Sequence, residues 1–316
     1  MKRFAGRIWG PVNAEDLVGI PGTDWVLTSG MQGPTAPLGR LYAVDRRDLS
    51  CTEIYPYTAD TGSLDPAVFE PHGIDVAVAA DGTPELLVVD HGGGESVARF
   101  AIDLGGDRPV LTHLETVPMP AGVWGNDVAA LPGGGFVLSS TTDISDGLEK
   151  GMARMGAGEE TGCAVEWTPG AGCRVLPGSA INSANGVAVS PDGGTVFLAG
   201  WRSRCIRKIT RGAGDPVVET LDVDVMVDNL TWTPDGALLA AGATDATMED
   251  FAAAYFGPVP RVAFPSRVLR IDPDTLAVET VAEQADPALG VATTALAVGD
   301  EIWVGAARDQ GLQRYR

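Results

Sequence analysis

The feature that most constrains this chain is a weak unit that recurs six times. Each copy has one or two polar residues, a short run of alternating apolar residues, a turn rich in Pro, Asp and Gly, and a second strand ending in small residues. The copies are Glu15–Gly30, His72–His91, Asn126–Ser140, Asn185–Gly200, Asp228–Gly242 and Thr293–Ala307. Their starts lie 43–65 residues apart, room for four strands and their loops. Two longer strand patterns follow in most units, such as Cys205–Thr210 then Val217–Val223. The 41 glycines and 22 prolines punctuate these segments throughout, and helical periodicity is nearly absent, its main candidate being Thr247–Tyr255. The pattern predicts an all-β fold, a six-bladed β-propeller. The last copy leaves room for three strands before Arg316, so residues 3–9 are expected to supply the fourth. Pairing of the N-terminal and C-terminal strands would close residues 1–316 into one domain without open sheet edges.

In such a ring the innermost strands run along the central axis, and residues at one repeat position converge on a small volume. That position is polar in every copy: Glu15, Asp16, His72, Asn126, Asp127, Asn185, Asp228, Asn229, Thr293 and Thr294. Carboxylates crowded into a partly desolvated tunnel repel one another and rise in pKa unless a cation neutralises them. Any one polar residue at a strand start is explained by turn geometry; Asp and Asn recurring in register point instead to a metal. The donors are hard oxygens from carboxylates and amides, which suit calcium better than zinc or copper. An EF-hand is not the source, since Val227 stands where a loop beginning at Asp222 would need glycine.

Forty-two acidic against 22 basic residues give a net charge of −20, which favours cations and makes nucleic acid an unlikely partner. No segment reads as a signal peptide or a membrane span, and a cytoplasmic, unanchored protein is expected. Cys51, Cys163, Cys173 and Cys205 lack zinc spacing and are read as reduced thiols, although Cys163 and Cys173 flank the Thr168–Gly170 turn symmetrically.

At these positions the sequence resembles the paraoxonases, within the wider SMP-30/gluconolactonase group of calcium-dependent hydrolases. The resemblance rests on Glu15-Asp16-Leu17, Pro71-His72-Gly73-Ile74, Leu87–His91, Asn126-Asp127, Ala184-Asn185-Gly186 and Val227-Asp228-Asn229, in order from about Glu15 to Tyr315. It implies two calcium ions. A catalytic one would take Glu15, Asn126, Asn185, Asp228 and Asn229, and a structural one Asp16, Asp127 and the backbone carbonyl of Ile74. It implies also that His72 and His91 form a proton-transfer pair, with Asp228 as alternative base or nucleophile; His113 sits in an outer-strand pattern and is read as structural. The chain departs from the animal enzymes in lacking a hydrophobic anchor and a cysteine bridge between its ends. It also has Ser139–Asp143 where they carry an Asn-Asp-His segment.

The activity implied is hydrolysis of a small-molecule lactone or aryl ester, calcium polarising the carbonyl while a His or Asp base activates water. No G-x-S-x-G elbow occurs, and Gly92–Ser96 lacks the spacing and lysine of a phosphate loop and reads as a turn. Ser139–Gly162 and Ala243–Pro265 are the longest loops and are expected to roof the pocket. The second carries Met248, Phe251, Tyr255, Phe256 and Phe264, an apolar set suited to an alkyl or aromatic lactone or to packing on itself. A sugar-lactone hydrolase, a non-catalytic propeller with structural calcium and a strictosidine-synthase-like enzyme are the rival readings.

Overall fold

A computed structural model describes all residues except 34–35, 57–61, 63, 80, 248, 251–262 and 285–289. It forms six four-stranded antiparallel sheets arranged as the blades of a β-propeller. After β1 (Phe4–Val12), the first blade is β2 (Ala14–Gly19), β3 (Trp25–Gly30), β4 (Arg40–Asp45) and β5 (Cys51–Tyr55). The second is β6 (Pro71–Val78), β7 (Pro84–Asp90), β8 (Ser96–Asp103) and β9 (Val110–Pro118). The third runs β10 (Gly125–Ala130), β11 (Phe136–Ser140), then after helix α1 (Leu148–Gly156) β12 (Cys163–Thr168) and β13 (Gly172–Val175). The fourth is β14 (Ala184–Val189), β15 (Thr195–Gly200), β16 (Cys205–Thr210) and β17 (Val217–Asp222). The fifth is β18 (Met226–Trp232), β19 (Leu238–Ala243), β20 (Ser266–Ile271) and β21 (Val278–Gln284). The sixth contains β22 (Val291–Val298), β23 (Glu301–Ala307) and β24 (Gln310–Tyr315), with β1 paired to β24 as its outermost strand. The expected closure is therefore observed, with Arg3 and Arg316 exchanging backbone hydrogen bonds of 2.8 Å.

Strands alternate apolar side chains between two faces, and each face packs on the neighbouring blade. Six apolar clusters fill the six interfaces; the one between the first two blades contains Leu27, Tyr55, Phe69, Ile74, Val88 and Phe100. Near the axis the blades are also tied by side chains. Asp16 Oδ2 accepts the Ile74 N–H at 2.9 Å, Asp75 Oδ2 that of Ala130 at 2.8 Å, and Asp127 Oδ2 that of Val187 at 2.7 Å. The circuit continues with Trp232 Nε1 to the Val189 carbonyl at 2.9 Å, Thr231 Oγ1 to that of Ala295 at 2.5 Å, and Thr294 Oγ1 to Asp16 Oδ1 at 3.0 Å. Every blade boundary thus has at least one directional bond besides its apolar contact.

Two local expectations need correction. A nine-residue helix, α1, lies within the loop after β11, where no helix was expected: it is short, and its apolar residues Leu148, Met152 and Met155 give only two turns of periodicity. Ser139 and Ser140 end β11, as the third repeat copy implied, so the loop expected from Ser139 begins after Ser140. The helix expected at Thr247–Tyr255 falls largely outside the described residues, as do Met248, Phe251, Tyr255 and Phe256. Cys163 and Cys173 are not opposite each other, since Cys173 pairs with Trp167, and all four cysteines are free thiols. His113 lies in β9, an outer strand, as expected, with Nε2 3.0 Å from Thr116 Oγ1.

Candidate functional site

In all six blades the pairing of the innermost strand with its neighbour slips at the polar repeat position. The register shifts fall between Ala14 and Leu17, Pro71 and Ile74, Gly125 and Val128, Ala184 and Val187, Val227 and Leu230, and Ala292 and Thr294. Such bulges turn side chains out of the regular alternation, here toward the axis. Two of the N–H groups freed from the ladder are accepted by serines of the next strand, Asp16 N–H by Ser29 Oγ at 3.2 Å and Asp127 N–H by Ser139 Oγ at 2.9 Å. Glycine follows His72 and Asn185 because the axis is crowded: a Cβ on Gly73 would lie 2.4 Å from Asp127 Cα, and one on Gly186 2.3 Å from the Asp228 carbonyl oxygen.

The bulges bring Glu15, Asp16, Asn126, Asp127, Asn185, Asp228 and Asn229 together, each no more than 8% exposed. Asn229 Nδ2 donates to Glu15 Oε1 at 2.8 Å and Thr293 Oγ1 to the Glu15 carbonyl at 2.6 Å. Four buried oxygens nevertheless have no hydrogen-bond partner among the described residues: Glu15 Oε2, Asn126 Oδ1, Asn185 Oδ1 and Asn229 Oδ1. Leaving such acceptors unmade costs about 1–3 kcal/mol each, and oxygens gathered in this way could receive a cation. Among the described residues no group of three or more His, Cys, Asp or Glu is disposed to hold a metal. A cradle of two carboxylates with three amide oxygens is instead a donor set for a hard cation such as calcium.

Asp16 and Asp127 are placed differently. Their second oxygens accept the N–H of Leu17 at 2.8 Å and of Val128 at 2.7 Å, so every carboxylate oxygen of this pair already has a donor, with further lone pairs available. With Ile74 they line a cavity of about 570 Å³ that opens where the innermost strands end, away from the cradle. Burial raises the carboxyls of Glu15, Asp16, Asp127 and Asp228, and that of Asp75, which is pushed up to about 6. Asp16 is pushed up to about 7 against the hydrogen bonds it accepts. Glu15 stands well above its usual value through burial, then the charges of Asp16 and Asp228. Asp127 is raised by burial and by Asp16. Asp228 is raised by burial, which the Asn185 hydrogen bond opposes.

The cradle opens into a cavity of about 580 Å³ in which Asp228, Asn126 and Asn185 meet His72 and His91. His72 Nδ1 is 2.9 Å from His91 Nε2, and His91 Nδ1 is 2.9 and 3.1 Å from the two oxygens of Glu95. At the inner end of this chain His72 Nε2 lies 3.6 Å from Glu15 Oε1 and 3.5 Å from Asn126 Nδ2. Burial, with His91 beside it, holds the His72 imidazole well below its usual pKa. Burial opposes charge on His91 too, but the bonds and charge of Glu95 with the charges of Glu70 and Asp90 outweigh it, and His91 is raised. Trp124, Trp201, Leu148, Met152 and Met155 wall the cavity, so the loop after β11 does roof it, through the helix that the sequence had not disclosed. Phe264, from the other expected roof, is buried beside Met31, Ala243 and Ala307. Glu95 sits in a glycine run that reads as a turn, and its spacing of four from His91 is the sequence signal that links the two.

Residues 13–305 match the family profile described as Arylesterase. Serum paraoxonase/arylesterase 2 of Gallus gallus is 28% identical over 174 residues, covering 54% of this chain and 48% of that protein, so the chain spans about half the length of the curated relative it matches. Among solved structures, a gluconolactonase of Xanthomonas campestris aligns with a TM-score of 0.59 at 16% identity, covering 99% of this chain and 94% of that one. A calcium-binding protein, regucalcin, of Agrobacterium tumefaciens aligns with a TM-score of 0.57 at 15% identity, over 99% of this chain and 93% of that one. At these identities the two structures share the fold with this chain. No helix among the described residues is long and apolar enough to cross a membrane.

Proposed function

Because the chain belongs to the Arylesterase family, we propose that it is a calcium-dependent hydrolase of lactones and aryl esters. The observation that carries this reading is the set of four unpartnered oxygens of Glu15, Asn126, Asn185 and Asn229, contributed by four blades, next to His72. Glu15, Asn126, Asn185, Asp228 and Asn229 would hold the catalytic ion. Asp16, Asp127 and the Ile74 carbonyl would hold a second, structural one. When bound, calcium supplies a Lewis acid that polarises the substrate carbonyl and offsets the charge developing on its oxygen.

The chain's own residues supply the rest. His72, kept neutral by burial, takes a proton from water at Nε2. His91, bonded to His72 Nδ1, orients the ring and accepts the proton released there. Trp124, Trp201 and the apolar face of α1 receive the alkyl or aryl part of the substrate and keep bulk water away from the carbonyl. These walls support an apolar lactone or ester over a sugar lactone.

A panel of lactones and aryl esters assayed with calcium and with excess EGTA tests the reading. The expected result is hydrolysis with calcium and its loss with chelator, restored by added calcium. Full activity in EGTA on protein shown to be metal-free would overturn it.

A further inference from the structure

Glu95 heads the chain of hydrogen bonds that ends beside the cradle, yet it is neither a proposed ligand nor a member of the histidine pair. It lies at the end of the Gly92–Gly94 turn, immediately before β8, and reaches two targets at once. One is His91 Nδ1, at 2.9 and 3.1 Å; the other is the Gly125 N–H, which Oε2 accepts at 2.8 Å. Gly125 directly precedes Asn126, and a Cβ there would come within 2.9 Å of Val89 Cγ1 and 3.3 Å of Glu95 Oε2. The missing side chain is what lets the carboxylate approach the backbone of the third blade.

We infer that Glu95 is the positioning residue of the histidine pair, and that its carboxylate decides the direction in which the whole chain of hydrogen bonds runs. An ionised carboxylate only accepts, so His91 Nδ1 must carry a hydrogen. In neutral His91 the opposite nitrogen, Nε2, then has only a lone pair and must accept from His72 Nδ1. His72 Nε2 is consequently left with its lone pair facing the cavity, where Asn126 Nδ2 is 3.5 Å away and can donate to it. That orientation in turn leaves Asn126 Oδ1 aimed at the cradle, in agreement with its having no partner there. One carboxylate thereby sets the proton acceptor and steadies the strand that carries a proposed ligand. During turnover no atom is gained by Glu95. A proton taken from water by His72 Nε2 is matched by one passed from His72 Nδ1 to His91 Nε2, and the resulting imidazolium is balanced by the Glu95 charge. The proton returns to the departing alkoxide by the reverse path.

The inference rests on His72 being the base, and the test separates the two. Glu95→Gln is compared with His72→Gln on one apolar lactone, with calcium content and melting temperature measured for both. Glu95→Gln is expected to lower kcat by roughly 10–100-fold with KM, calcium content and melting temperature unchanged, and formate is expected to restore part of the turnover of Glu95→Ala. A normal kcat in Glu95→Gln beside an impaired His72→Gln overturns the role of Glu95. So does loss of calcium from Glu95→Gln in step with loss of kcat, which would make it a purely structural support. A normal kcat in His72→Gln would instead overturn the base assignment. The unaltered protein offers an independent check: with only three histidines, a long-range ¹H–¹⁵N spectrum resolves each ring. A hydrogen on His91 Nδ1 is expected, and a neutral His91 carrying it solely on Nε2 sinks the inference.

Discussion

At the scale of single residues, the two groups of axial oxygens differ in what the protein itself gives them. Asn185 Oδ1 has no hydrogen-bond partner among the described residues, whereas both oxygens of Asp127 accept backbone N–H groups, one of them from the next blade. Asn185→Ala is therefore expected to cut hydrolysis strongly with little effect on melting. Asp127→Ala removes an inter-blade tie as well as a proposed ligand and should mainly destabilise, by about 1–3 kcal/mol. Parallel activity and melting measurements check this, and equal effects of the two substitutions on both readouts would mean that the ligands are wrongly divided. His72→Gln preserves reach without basicity. Since general-base catalysis contributes about 10²–10⁴-fold, lactone turnover should fall within that range while the fold and calcium are retained. Near-normal turnover would pass the base role to Asp228.

At the scale of elements, the inner-strand bulge is the device that converts a repeated strand into a site. Its tolerance for side chains is small where blades meet: Gly186→Ala would drive a methyl group against the backbone of Asp228 and Asn229. A cost of about 1–3 kcal/mol with weakened calcium binding is expected, measurable by calorimetry and by calcium titration. Wild-type calcium affinity in a folded Gly186→Ala protein would show that the bulges are not needed for the cradle. In the proposed function helix α1 bears on substrate rather than on metal. Met152 faces the cavity, so Met152→Lys should raise KM for alkyl and aryl substrates several-fold with kcat and melting little changed. Unchanged KM across the panel would remove α1 from the binding wall.

At the scale of the whole molecule, the ring is locked by its last blade. Glu301 on β23 accepts from Arg314 Nε at 2.7 Å, from Arg314 Nη2 at 2.5 Å and from Trp303 Nε1 at 3.0 Å, with Arg316 Nη2 at 2.8 Å. The Arg314 hydrogen bonds hold this carboxyl below its usual pKa. A carboxyl depressed in the folded state contributes stability above its unfolded pKa and loses it as pH falls through the folded value. Glu301→Gln should thus lower the melting temperature at neutral pH, by the equivalent of about 1–3 kcal/mol. The gap from wild type should close as pH falls below the ordinary range of Glu, through the lowered value this carboxyl has in the folded state. A gap independent of pH would show that packing, not charge, is what Glu301 contributes.

Much of this architecture is legible in the sequence because it is written in local, repeated patterns. Alternating apolar residues and Pro-Asp-Gly turns specify strands wherever they occur, six copies in register specify the blades, and a last copy one strand short implies that β1 closes the ring. The polar positions from Glu15 to Thr294 could be found for the same reason, since a constant place in each repeat is a constant place on the axis. Other features depend on distances between residues far apart in the chain, which no periodicity encodes. Glu95, His91 and Gly125 meet only when the second and third blades are packed. The division between oxygens that the protein satisfies, as at Asp127, and those it leaves bare, as at Asn185, follows from bulges formed against neighbouring strands. Helix α1 gains its place over the cavity from tertiary contact, because two turns of helix are too few to be stable or recognisable alone. The repeat therefore determined where polar groups gather, and the packing of blades decided which of them remain available for chemistry.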